Sequence, residues 1–127
     1  MITLNFKKTA DGLLPAVVQD YKTLEILMVA NINAAAWEMT LQTGKAHYWS
    51  RSRKKLWLKG ETSGHVQLIH KILVDCDADT VVFQVEQLGG AACHTGHRTC
   101  FYRRLAGDEL VTEGEKIFDP DTVYGKK

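Results

Sequence analysis

Cys93-His94-Thr95-Gly96-His97-Arg98-Thr99-Cys100 places two thiols and two imidazoles within eight residues, and the only other cysteine, Cys76, stands inside Asp75-Cys76-Asp77-Ala78-Asp79. Every thiol in the chain therefore has potential metal chemistry beside it. Thiolates are soft donors suited to Zn²⁺. A catalytic zinc takes about three protein ligands and leaves one position open for water, so three cysteines fit that count where four would suggest a closed structural site. His94 and His97 could ligate, move protons or cap the loop, imidazole being the side chain that exchanges protons near neutral pH.

The acidic segment is suited to a second, harder cation. Carried on as a strand, Asp75, Asp77 and Asp79 would share one face, with Cys76 on the other. A bend after Asp75 would gather the three carboxylates around an ion such as Mg²⁺, which prefers oxygen, while Cys76 projects elsewhere. Asp75, Asp77, Asp79 and Glu86 match the acidic positions of an EF-hand, but that reading is strongly discounted because Thr80 stands where its sharp turn requires glycine and the flanks read as strands. A solvated acidic turn is the plain alternative. For the cysteine loop, the six residues between Cys93 and Cys100 match neither a zinc knuckle nor a ribbon, leaving a disulfide or inert thiols open.

A third segment, from Trp49 to His65, carries five cations, four hydroxyl side chains and two glycines. Arginine forks, hydroxyls and free backbone amides suit a phosphorylated small molecule. The same mixture could bind single-stranded nucleic acid, or form a solvated loop anchored by Trp57.

These segments need elements to hold them. Leu13–Val18 reads as a first strand with its turn at Gln19–Lys22, and Leu24–Ala30 as a short buried strand. A helix is expected over Ala34–Thr43, N-capped by Asn33 and ended by Gly44. Lys45–Arg51, His65–Val74 and Thr80–Gln87 read as strands, the last two forming a hairpin across Cys76–Asp79. Phe101–Arg104 is a possible return strand, and beyond Gly107 only a charged tail is legible. The predicted class is α+β, mostly antiparallel sheet with one main helix.

A length of 127 residues supports one domain, here 1–107 followed by a 108–127 extension. Chains near ~150 residues bury roughly 68–70% of their unfolded surface, so a core is possible without disulfides. Sixteen Lys and Arg against fifteen Asp and Glu give a formal charge of +1, which argues against a dedicated nucleic-acid binder. Ile26–Trp37, the longest uncharged stretch, is short of the ~20 apolar residues a bilayer needs. The first residues lack a secretory pattern, and an odd cysteine count suits a reducing interior. The expectation is a soluble, cytoplasmic protein.

The ordered combination of His47-Tyr48-Trp49-Ser50-Arg51-Ser52-Arg53, Trp57 through His65, Asp75 through Asp79 and Ala92 through Arg103 closely resembles the phosphoribosyl-AMP cyclohydrolase family of histidine biosynthesis, from about Leu14 to Arg104. That resemblance implies an enzyme hydrolysing the N1–C6 bond of the adenine ring of phosphoribosyl-AMP by a zinc-activated water, with Mg²⁺ as a second metal. It also implies a homodimer with the metal site at the subunit interface. Zinc would fall to Cys76 of one chain and Cys93 and Cys100 of the other, and Mg²⁺ to Asp75, Asp77 and Asp79. His94 or His97 would move protons, and Arg51, Arg53, Lys54, Thr62, Ser63 and Gly64 would hold the phosphates. The chain departs from the family at Ala34-Ala35-Ala36, where relatives often carry acidic residues, and near Asn31, where they often carry an aromatic. A fused pyrophosphohydrolase domain, present in many relatives, is not expected here. Two other readings compete: a zinc-stabilised nucleic-acid module using Trp49–Trp57, and a redox protein using a Cys93–Cys100 disulfide.

Overall fold

A computed structural model describes residues 2–121. It contains a 3₁₀ turn at Phe6–Lys8, strands β1 (Leu14–Asp20) and β2 (Ile26–Ile32), helix α1 (Ala34–Thr43), and strands β3 (His47–Ser50), β4 (Lys55–Leu58), β5 (Gln67–Val74), β6 (Val81–Gln87), β7 (Arg103–Ala106) and β8 (Glu109–Thr112). The main sheet runs β2-β1-β6-β5, with β3–β4 and β7–β8 as separate hairpins. Antiparallel pairing dominates, as predicted, but β1 and β6 pair in parallel at the sheet centre. A parallel pair needs a long crossover, and α1 with the β3–β5 segment supplies it.

Burial alternates along β1 and β6, so each presents one face to the core. Ala16, Val18, Leu27, Ile32, Phe83 and Val85 form the sheet's contribution, and Ala36, Trp37 and Tyr48 cover it. Helix α1 begins and ends where the sequence places it. Asn33 Oδ1 accepts from the Ala36 amide at 2.9 Å, and Gly44, at φ 72°, returns its N–H to the Thr40 carbonyl. The Trp37 and Phe83 rings lie nearly parallel with centroids 6.4 Å apart.

Several strand limits differ from expectation. β1 runs on through Asp20 and β2 starts only at Ile26, because Asp20 accepts from the Lys22 and Thr23 amides and so shifts the turn to residues 21–24. β4 forms inside the basic stretch, where charge hides its pattern. All four residues of β8 are exposed, which left no burial periodicity to read where only a tail was expected.

A buried polar chain ties the hairpin to the sheet. Tyr48 Oη donates to Gln67 Oε1 at 2.5 Å, and Gln67 Nε2 donates to Gln87 Oε1 at 2.8 Å. Gln87 Nε2 then donates to the His65 carbonyl at 2.8 Å. Burial holds the Tyr48 phenol well above its ordinary pKa, so it remains a donor.

Candidate active site

The acidic segment is the turn between β5 and β6. Asp75 Oδ1 accepts from the Asp79 and Thr80 amides at 2.9 and 3.2 Å, and Ala78 adopts a left-handed φ of 58°. This bend, rather than strand alternation, brings Asp75, Asp77 and Asp79 together, with one oxygen from each within 4.8 Å of the others. A cation already sits there: the Lys8 ammonium bridges Asp77 at 2.6 Å and Asp79. Hydrogen bonding from Lys8 holds Asp79 well below the usual carboxylate range. Asp75 is pushed up, chiefly by its hydrogen bond with Asp79. Three hard oxygens clustered tightly enough to capture an ammonium form a donor set that fits a small divalent ion.

The cysteine loop hangs from the start of β2. The Cys100 amide donates to the Leu27 carbonyl at 2.7 Å, Thr99 Oγ1 to the Ile26 carbonyl at 2.7 Å, and Arg98 pairs with Glu25 and Asp20 at 2.6 and 3.1 Å. Within the loop, the Cys93 amide donates to the His97 carbonyl at 3.2 Å and the Gly96 amide to the Cys93 carbonyl at 3.0 Å. These turns bring the Cys93 and Cys100 thiols together. Burial and the neighbouring Cys93 push the Cys100 thiol up to about 11. Cys76, Cys93 and Cys100 are all free thiols.

Lys59 completes this corner, and the sequence reading counted it only among the five cations of the Trp49–His65 stretch. Its ammonium donates to the Ala92 carbonyl at 2.6 Å. Burial lowers its pKa, while the Cys100 and Cys93 thiols oppose that shift. The Lys59 ammonium in turn opposes the upward shift of the Cys100 thiol, whose ionised form is the one that binds metal. No periodicity marks Lys59, because its burial comes from the β4 end turning under the cysteine loop.

Two cavities flank β4. The first, about 330 Å³, is lined by Arg53, Trp57, Lys59, Thr62, Ser63 and His94 among others. The second, about 430 Å³, is lined by Trp49, Ser50, Arg51, Ser52, Arg53 and Trp57 with Ala30 and Asn31. Of the predicted phosphate ligands, Arg53, Thr62 and Ser63 thus converge with His94 on the first cavity, Arg51 lines the second, and Lys54 and Gly64 line neither. His97 is placed apart: buried, stacked on Tyr102 at 3.8 Å, and facing a third cavity closed by residues 113–117. That closing segment returns across the loop, with the Ile117 amide donating to the Gly96 carbonyl at 2.6 Å.

Among the described residues, the three sulfurs of one chain do not form a close ligand group; only the aspartate trio does. No helix of the described residues is long and apolar enough to cross a membrane.

An α+β scaffold carrying a cation-lined cavity, an exposed histidine and neighbouring thiols presents the groups expected of an enzyme acting on a small anionic compound. Comparison with known proteins gives the family. The phosphoribosyl-AMP cyclohydrolase family matches residues 28–102. A phosphoribosyl-AMP cyclohydrolase of Desulfotalea psychrophila is 68% identical over all of both chains. One of Desulfatibacillum aliphaticivorans is 59% identical over 99% of this chain and 100% of its own. A histidine biosynthesis bifunctional protein HisIE of Thermoanaerobacter pseudethanolicus is 58% identical over 89% of this chain and 52% of its own. The chain belongs to the phosphoribosyl-AMP cyclohydrolase family.

Proposed function

We propose that this protein opens the adenine ring of phosphoribosyl-AMP by hydrolysing the N1–C6 bond, a step of histidine biosynthesis. The observation that carries the reading is the convergence of Arg53, Lys59, Thr62, Ser63 and His94 on one cavity beside the Cys93–Cys100 pair. Arg53 has no acidic partner among the described residues, so its guanidinium is free for a phosphate.

Zn²⁺ would be held by Cys93 and Cys100 of one chain and Cys76 of a second, and Mg²⁺ by Asp75, Asp77 and Asp79. When bound, Zn²⁺ supplies Lewis acidity that brings a water's pKa to about 7. The chain's own residues position and protonate. Arg53, Thr62 and Ser63 anchor a phosphate and fix the ring relative to His94. His94 then takes a proton from the attacking water and delivers one to N1. The new C–O bond forms at C6, the N1–C6 bond breaks, and its electron pair stays on N1 with the delivered proton. Exposure of His94 on the cavity wall and burial of His97 against Tyr102 support His94 in this role. A homodimer with shared zinc ligands is supported by the placement of Cys76 away from the thiol pair.

The deciding experiment is metal analysis of the purified protein and of Cys93→Ala, coupled to an ultraviolet assay with phosphoribosyl-AMP. Loss of both zinc and turnover in Cys93→Ala is expected. Retained turnover in a zinc-free Cys93→Ala protein would refute the mechanism.

A further inference from the structure

The substrate of the proposed reaction has two phosphoribosyl arms, one on N1 and one on N9 of the same purine. Its two dianionic ends point away from each other, so a single anion pocket cannot serve both. The structure offers two neighbouring cavities that share one wall, made by Arg53 and Trp57.

Each cavity has its own cation and its own hydroxyls. The first brings Lys59, Thr62 and Ser63, and the second Arg51, Ser50 and Ser52. Opposing charge is sparse. Glu61, an exposed residue, is the one carboxylate lining the first cavity, and none lines the second. Arg51 is held only by an exposed pair with Asp11 at 3.2 Å, a contact that an incoming phosphate can replace. Trp57 lies between the two anion sites with its ring 5.3 Å from Tyr48, which fixes its plane. An indole held between two phosphate sites is suited to stack a flat purine.

Resting on the function proposed above, we propose that the two arms are bound separately. The N1-phosphoribosyl phosphate lies in the cavity of Lys59, Thr62 and Ser63, and the N9 phosphate lies in the cavity of Ser50, Arg51 and Ser52. Arg53 and Trp57 bridge them. The assignment follows from the chemistry. N1 is adjacent to C6, so its arm must occupy the cavity that contains His94, and N9, on the far side of the purine, faces the other. A specificity consequence follows: AMP, which has only the N9 arm, binds through the Arg51 cavity alone.

The test measures AMP binding by calorimetry to the metal-loaded protein and to Arg51→Ala, Arg51→Gln and Thr62→Ala, with KM for phosphoribosyl-AMP measured in parallel. Arg51 and Thr62 are exposed, so neither truncation removes packed surface. The expected result is a loss of AMP affinity of about tenfold or more in both Arg51 variants, the cost of one charge-assisted contact. Thr62→Ala should keep AMP affinity within about twofold, while KM for phosphoribosyl-AMP rises in all three. Equal loss of AMP affinity in the Arg51 and Thr62 variants, or loss in Thr62→Ala alone, overturns the partition. Calorimetry reads binding without turnover, so an unsubstituted protein that binds AMP as described but leaves phosphoribosyl-AMP intact would strike the function and not the subsites.

Discussion

Mixing two inactive variants should restore activity, because the sheet topology holds Cys76 away from the other two cysteines of its own chain. Cys100 is anchored to Leu27 on β2, which lies level with Val18 and Gln19 of β1 and so with Phe83 and Gln84 of β6. Cys76 lies in the turn before Val81, the first residue of β6. From Val81 to Phe83 or Gln84, plus the turn, is roughly 10 Å along the strands at ~3.3 Å per residue, and two strand spacings add ~10 Å across. Zinc–sulfur bonds of about 2.3 Å require ligand sulfurs within ~4 Å of each other. That separation along and across the paired strands is why the proposed zinc trio draws Cys76 from a second chain.

Cys76→Ala and Cys93→Ala homodimers then each lack one ligand at every site. In a mixed dimer, the Cys76→Ala chain supplies intact Cys93 and Cys100 while the Cys93→Ala chain supplies intact Cys76. One of its two sites is whole and the other lacks both. Random exchange makes half the dimers mixed, so the mixture recovers about a quarter of the unsubstituted activity and zinc content. The assay is turnover and zinc per chain after unfolding and refolding the variants together. Recovery indistinguishable from the separate variants would refute the shared site. So would high activity in either variant alone.

Three further outcomes follow from the geometry. Gly60→Ala should cost about 3 kcal/mol and raise KM, because at φ 89° its Cβ would lie 2.4 Å from the Val66 amide nitrogen and 2.5 Å from the His65 carbonyl carbon; Gly44→Ala, in open space at φ 72°, should cost about 1 kcal/mol. Denaturant midpoints read the difference, and the chain-entropy gain of alanine in the unfolded state cancels between the two; equal costs would refute the steric account. His94→Ala should cut kcat and alter the pH–rate profile, whereas His97→Ala should lose about 1–2 kcal/mol of stability with its Tyr102 stack and leave the profile's shape unchanged. In metal-free protein, the folded Cys100 thiol titrates near 11 against an ordinary 9.0, so the folded form binds more protons between those values. Stability is therefore intact below about pH 9 and falls as pH rises towards 11, by about 1 kcal/mol after allowance for solvent on its open side, and Cys100→Ser should remove that decline.

The parts legible in advance were those carried by local rules. Asn33 and Gly44 bounded α1 because capping is settled within a few residues. The Asp75–Thr80 turn was legible because two strongly patterned strands flank a hairpin-sized gap. Parallel pairing of β1 with β6 was not legible, because nothing in either strand records a partner some sixty residues away. Strands β4 and β8 carry too few buried positions to show a period. The six proposed phosphate ligands were chosen by residue type, and type alone cannot separate Arg53, on a cavity wall, from Lys54, whose left-handed φ of 51° places it at the hairpin tip. Lys59 and Tyr102 were missed for the same reason: each matters through a neighbour distant in sequence, Lys59 through Ala92 and Tyr102 through His97.

Lys59 and Lys8 show why both proposed metal sites can exist in a folded chain before any ion arrives. Three carboxylates crowded together repel one another, and a protein that left them bare would tend to open the β5–β6 turn. Lys8 offsets that repulsion from outside the turn, and the Asn5 amide, donating to the Ala78 carbonyl at 2.7 Å, keeps Lys8 in reach. An exposed ammonium on a flexible stem is readily displaced by a divalent ion, so it holds the shape without blocking the site. The thiol corner has the opposite problem. Its groups are neutral when protonated and costly to ionise when buried, so the fixed cation Lys59 is held under the loop by the Ala92 carbonyl. One lysine therefore stands in for a charge that is already missing, and the other prepares for a charge yet to form.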